Sequence, residues 1–158
     1  MSDVQQADRG DDRAAVVDLL HGYAHAVDDA DAAAVVACFT PAGRFSTRDG
    51  SVDVRGPAQL MAYFGHVFAG PMAPPGVVTT HLMGNVVVAV DPGGISATTL
   101  LDAVVYRWSA GGGTVTARGL RYRDRVERTA AGWLLAEREH DLRWQGEMPA
   151  APAFAIGD

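Results

Sequence analysis

A chain of 158 residues, 48% hydrophobic and 20% charged, is the size of one domain with one core. Its net charge of −6 argues against the clustered cations that nucleic-acid phosphates require, and no apolar run reaches the length of a membrane span. A single cysteine, Cys38, excludes an internal disulfide, and the absence of lysine excludes Schiff-base chemistry and a lysine-bearing phosphate loop.

The start of the chain, Met1 to Asp12, is polar and acidic, the reverse of a secretory signal, so the cytoplasm is the expected location. Residues 1–7 are expected to be disordered. From Asp11 to Val27 apolar residues recur at helical spacing. Val17, Leu20, Ala24 and Asp28 share one ridge of this helix, and Val16, Leu19, Tyr23 and Val27 the next. Asp11 or Asp12 can cap its start. Asp31 is the expected N-cap of a short second helix through "AAAVVACF", stopped by Pro41 and Gly43. Short strands follow around Arg44–Ser46 and Val52–Val54, separated by the turn signal Asp49-Gly50. Gly56-Pro57 opens a third helix, "PAQLMAYFGHVFAG", with proline in its first turn.

After the Pro/Gly loop from Pro71 to Gly76 the character changes. Four long β-rich segments follow: "VVTTHLMGNVVVAV", "ISATTLLDAVVYRW", "TVTARGLRYRDRVERT" and "WLLAEREHDLRW". In the third, Leu120, Tyr122 and Val126 alternate with Arg121, Arg123, Arg125 and Glu127, so one face is covered and one is wet. Helices first and long hairpin-linked strands after them give an α+β layout, with helices packed on one face of an antiparallel sheet. The expected organisation is a single domain over residues 8–144, followed by an Ala/Pro-rich tail over 145–158. The arginines Arg118, Arg121, Arg123, Arg125 and Arg128 make only a local stripe.

Several residues can carry chemistry, and each has a plainer reading. His81 lies mid-strand on the face of Thr79 and Met83; it is either a core histidine or a general base lining a pocket, because imidazole titrates near neutral pH. Asp28 ends the first helix. A solvated acid there is opposed by the helix dipole, and the Val17–Leu20–Ala24 ridge carries Asp28 to the buried side, where a carboxylate needs a partner. Tyr23 is a packing residue or a donor to a substrate oxygen. His21 and His25 have a metal-binding spacing but point away from the apolar face, so no metal site is expected. Arg138 is either a cross-strand ion-pair partner of Asp124 or a substrate-orienting cation held by it. The apolar neighbours of Cys38 argue for an inert thiol.

Taken together these stretches resemble the SnoaL-like family of the nuclear transport factor 2-like superfamily. The carrying motifs are "YAHAVDDAD", "FTPAGRF", "GPAQL", "TTHLMGNV", "GLRYRDRVERTAAGW" and Arg138, in the family's order. The resemblance implies a cone-shaped barrel: three N-terminal helices packed on a strongly curved, mixed but mainly antiparallel sheet that encloses a pocket. Asp28 and His81 fall on the positions of the aspartate–histidine pair of the dehydrating and eliminating members. Tyr23 looks like the tyrosine of the bile-acid 7α-dehydratase-type members, and Arg138 matches an arginine of the same pockets. Met83, Tyr122, Leu120, Phe64, Tyr106 and His140 are the residues expected around the pocket. The dehydrochlorinase members carry a lysine where this chain has Tyr23, and the second histidine of scytalone-dehydratase-type sites has no clear match.

The resulting expectation is a lyase, dehydratase-like, that needs no cofactor and acts on an apolar oxygenated small molecule such as a polyketide, terpenoid or steroid. The same groups would serve an isomerase or a cyclase. Two readings from other classes are a non-catalytic binding or assembly module and the small subunit of a ring-hydroxylating dioxygenase. A homodimer or homotrimer is the expected assembly, with neither nucleic acid nor membrane as partner.

Overall fold

The computed structural model describes residues 3–70, 76–109 and 113–150, with side chains from residue 10 onward. Helix α1 spans Asp3–Asp28, α2 Ala32–Ala37 and α3 Gly56–Ala69. The strands are β1 (Phe39–Thr47), β2 (Asp53–Arg55), β3 (Val77–Val90), β4 (Ser96–Ser109), β5 (Thr114–Thr129) and β6 (Gly132–Pro149). The three helices, the short β1–β2 pair and the four long strands are those expected.

Three boundaries differ. The backbone of α1 is helical from Asp3, earlier than the Asp11 start that the apolar spacing gives. The strand expected around Arg44–Ser46 begins at Phe39, with Pro41 and Gly43 inside it. Proline is tolerated there because the β1–β6 register is broken between Phe39 and Arg44. The expected tail is a strand as far as Pro149, because β5 offers pairing partners through Thr114↔Pro149. Residues 151–158 of the expected tail lie outside the described residues.

The six strands form one sheet in the order β2-β1-β6-β5-β4-β3. Only β1 and β6 pair in parallel; the other neighbours are antiparallel. Hydrogen bonds do not close the sheet, and β2 and β3 are its edges. The helices cover one face. Val16, Leu20 and Tyr23 of α1, Val35 of α2 and Leu60 and Phe64 of α3 pack against Phe45, Leu101, Leu120, Tyr122, Val126, Trp133 and Leu135. The opposite face leaves Val78, Leu82, Leu100, Trp144 and Met148 exposed. Among the described residues no helix is long and apolar enough to cross a membrane.

Local chemistry sets the element ends. The Asp31 side chain accepts from the Ala34 N–H at 2.9 Å and so caps α2, as expected. Ala30, between the two helices, adopts φ 55°, a left-handed turn that reverses the chain directly after Asp28. In the N-terminal half of α1, buried Asp12 is bonded to Arg128 and to the Trp133 indole N–H, with the Arg128 guanidinium 4.9 Å from the Trp133 ring centre. These contacts fix α1 across the sheet.

Candidate active site

The last turn of α1 delivers Asp28 to the free edge of the sheet. As an edge strand, β3 has backbone groups that no neighbouring strand satisfies. One Asp28 oxygen, Oδ2, accepts the His81 backbone N–H at 2.9 Å. The other, Oδ1, lies 2.5 Å from His81 Nδ1. A carboxylate accepts, so the contact assigns the Nδ1 proton to the side of Asp28; in the neutral imidazole the lone pair is then on Nε2. Among the described residues Nε2 has no hydrogen-bond partner. The His81 side chain is 5% exposed and that of Asp28 17%. The two donors of His81 answer the helix-dipole repulsion that a carboxylate at this end would otherwise meet.

His81 and Asp28 lie in the wall of a cavity of about 450 Å³, within the usual range for small-molecule sites. Most of the lining is apolar or aromatic: Phe45, Tyr63, Phe64, Phe68, Leu120 and Tyr122 among others. Tyr23 also lines it. The Tyr23 ring packs edge-on against Phe39, Phe64 and Tyr122 at 6.1–6.4 Å. Burial first, and then the neighbouring Tyr122, pushes the Tyr23 hydroxyl above its ordinary pKa, although Arg138 pulls the other way. It therefore remains a protonated donor at physiological pH. Tyr122 is pushed up to about 12, again chiefly by burial.

Of the expected pocket residues, Tyr122, Leu120, Phe64 and His140 line this cavity. His140 sits edge-on to Tyr122 at 5.5 Å, and burial, aided by the Arg138 charge, lowers its pKa, so its imidazole is neutral near pH 7. Two expectations are corrected. Tyr106 is on the other face of β4, because Val105 and Arg107 on either side of it face the cavity and side chains alternate along a strand. Met83 shares the face of His81 but lines a second notch, whose wall also includes Asp28 and His81 together with His21, Ala24, His25 and Leu82.

Arg138 is fully buried and lies outside the cavity lining. It is held by Asp124 directly opposite on β5, through Nε–Oδ1 and Nη2–Oδ2 contacts of 2.8 Å each. Asp124 Oδ2 also accepts from Thr99 at 2.7 Å. The guanidinium lies over two rings that are edge-on to each other, Tyr23 at 4.1 Å and Tyr122 at 4.5 Å. Among the described residues its Nη1 has no hydrogen-bond partner. Of the two readings of Arg138, the geometry is that of the cross-strand ion pair, placed behind the tyrosines that face the cavity.

His21 and His25 are exposed, and no group of three metal-ligating side chains lies together among the described residues. Cys38 is half-buried, donates to the Ala34 carbonyl at 3.4 Å, and has its pKa raised by burial, the opposite of an activated thiol. Sequence reasoning missed Phe45, Tyr63, Phe68, Arg107 and Arg118 as cavity residues. For the two arginines the signal was available: strand parity puts Arg118 with Leu120 and Tyr122, and not with Arg121 and Arg123.

Solved structures share this fold. A nuclear transport factor 2-like protein from Novosphingobium aromaticivorans is 26% identical, with a TM-score of 0.73 over 87% of this chain and 85% of that one. A candidate scytalone dehydratase from the same species is 13% identical, with a TM-score of 0.77 over 97% of this chain and 98% of that one. A type 2 hexachlorocyclohexane dehydrochlorinase, LinA, is 16% identical, with a TM-score of 0.77 over 97% of this chain and 99% of that one. No curated protein matches the sequence. The profile of the SnoaL-like domain matches residues 8–139, and the chain belongs to that family.

Proposed function

We propose that the protein is a lyase that acts by general acid–base catalysis, without a cofactor, on an apolar oxygenated small molecule. The observation that carries this reading is the Asp28–His81 pair in the cavity wall, with Nδ1 engaged and Nε2 left for substrate. Nε2 takes a proton from a carbon alpha or vinylogous to a carbonyl. Asp28 holds the ring and stabilises the imidazolium that forms. Tyr23 donates a hydrogen bond from its hydroxyl to the carbonyl oxygen as charge gathers there, and keeps its proton throughout. The imidazolium then returns its proton to the departing hydroxyl, which leaves as water. No electrons enter or leave. The same first step serves an isomerase, in which the proton returns to a different carbon.

The aromatic lining and the cavity volume favour a rigid substrate of a few rings. The dehydratase and dehydrochlorinase among the similar folds perform eliminations by name, which supports the lyase reading over the isomerase. A binding module has no need of a histidine pinned at both its backbone and its ring. The exposed apolar residues on the open face of the sheet support the expected assembly with further copies of this chain.

The test is His81→Ala alongside Asp28→Asn, assayed on compounds that the wild type turns over. Loss of the base should lower kcat by about 10²–10⁴-fold with the unfolding midpoint nearly unchanged. The Asn variant should lose a smaller factor, because the base remains but is misaligned. Wild-type turnover by His81→Ala would overturn the assignment.

A further inference from the structure

The open face of the sheet is divided in two. Residues paired directly across neighbouring strands share a face. Val78, Trp108, Val115 and Met148 stand in one row across β3, β4, β5 and β6. Thr80, Tyr106, Ala117 and Gly146 make the next row, and Leu82, Val104, Gly119 and Trp144 the third. None of these side chains is charged. Their neighbours along the strands, Thr79, His81, Val105 and Arg118 among them, line the cavity, so the three rows lie on the back of its wall. Charge begins in the rows that follow. There Asp102 is paired with Arg121 at 2.7 Å, Arg123 with Glu139 at 3.0 Å and Arg125 with Glu127 at 2.6 Å.

One glycine keeps the apolar half flat. A Cβ at Gly119 would overlap the Trp144 indole, so glycine lets that ring lie across β5. Trp144, Val78 and Leu82 each remain more than half exposed. Three gaps of about 4.8 Å separate the four strands, and four residues of about 3.3 Å separate Val78 from Leu82. With the reach of the side chains the patch covers roughly 400 Å², a size that usually marks a functional surface. A standard interface takes about 800 Å² from each partner, as an apolar core inside a polar rim. The three rows have the size of such a core, and the ion-paired rows beside them form part of a rim.

Charge selects the occupant. The chain has a net charge of −6, so two copies repel unless they meet where charge is absent. The apolar rows are such a place. In the rows beside them Arg121, Arg123 and Arg125 already hold acids, which leaves a charged partner little to recognise. We propose that the apolar half of the open face is a two-fold interface with a second copy of this chain, centred on Val78, Leu82 and Trp144. A two-fold contact presents the same patch from both sides, so one flat uncharged surface completes itself. The contact also covers, from behind, the edge strand that carries His81. It rests on the assembly reading above and makes no use of the lyase reading.

Sedimentation velocity of the full-length protein, from about 1 to 100 µM, tests the surface. The wild type should sediment as a dimer. Val78→Glu, Leu82→Glu and Trp144→Glu each bring like charges into the contact and should raise the dissociation constant at least about 100-fold. All three positions are more than half exposed, so the fold should tolerate each change, and circular dichroism reads that directly. Arg125→Gln, in the ion-paired half, should leave the constant within about threefold. An oligomer indifferent to all three Glu substitutions would overturn this surface and keep the assembly reading, whereas a monomer at every concentration would overturn both. A trimer would overturn the two-fold contact. A monomer that associates only after removal of residues 151–158 would give the patch to the chain's own tail and overturn the proposal.

Discussion

Two aspartates of this protein each grip a nitrogen base, and the two pairs do different work. Asp124 and Arg138 meet through two 2.8 Å contacts with no exposed side-chain surface on either partner. Asp28 and His81 meet at the edge of the sheet beside a cavity, and one ring nitrogen has no partner among the described residues. The sealed pair cannot exchange protons with a ligand. Its value is positional: the guanidinium lies against the faces of Tyr23 and Tyr122 and holds the floor of the cavity in place. A charged pair in a fold becomes chemistry only where its satisfaction is left incomplete on the side that substrate reaches.

Breaking the sealed pair should give the largest effect. Asp124→Ala leaves the Arg138 charge buried without a partner and should cost about 3–5 kcal/mol of stability, read by urea unfolding. Converting both partners to apolar residues, Asp124→Leu with Arg138→Met, should recover most of that loss. If the single variant were as stable as the wild type, the distinction between the pairs would collapse. Tyr23→Phe sharpens the comparison from the cavity side. It keeps the ring over Arg138 and removes only the hydroxyl. Turnover should fall by about 10²–10³-fold, with the unfolding midpoint little changed. An equal fall in stability would move Tyr23 to the structural side.

The smallest effect concerns pH. Burial lowers the His140 pKa below the ordinary 6.5, so the unfolded chain takes up a proton at a higher pH than the folded one. Stability from this residue is then present above about pH 6.5 and declines as pH falls from there towards the folded value. His140→Gln should flatten that part of the stability profile, measured as unfolding midpoints between pH 7.5 and 5 (the range in about half-unit steps). An unchanged slope would place the titration elsewhere.

The sequence made the elements of this fold legible because their signals are local: helical spacing in α1, the Asp31 cap, the Gly-rich turns between long strands. Asp28 could be singled out because it continues a buried ridge at a helix end that disfavours acids. What stayed out of reach depends on which way a strand faces. Tyr106 was assigned to the cavity by the chemistry of its side chain, whereas parity gives that place to Val105 and Arg107. Strict alternation groups Arg138 with Leu134. The register shifts between Glu137 and Leu135, so Ala136 is an extra residue, and Trp133 and Leu135 are buried with Arg138 instead. A single added residue in one strand is invisible to periodicity, yet it decides which side chains meet the core.

The edge position of His81 has a consequence for how the protein can be watched. Its amide proton is held by the Asp28 carboxylate and by no strand neighbour. That proton is released whenever the end of α1 lifts from β3, while the ladder between β3 and β4 stays intact. Its exchange with deuterated water therefore counts the moments at which the base has lost its aspartate. One backbone signal thus meters how often the site is assembled, independently of any substrate.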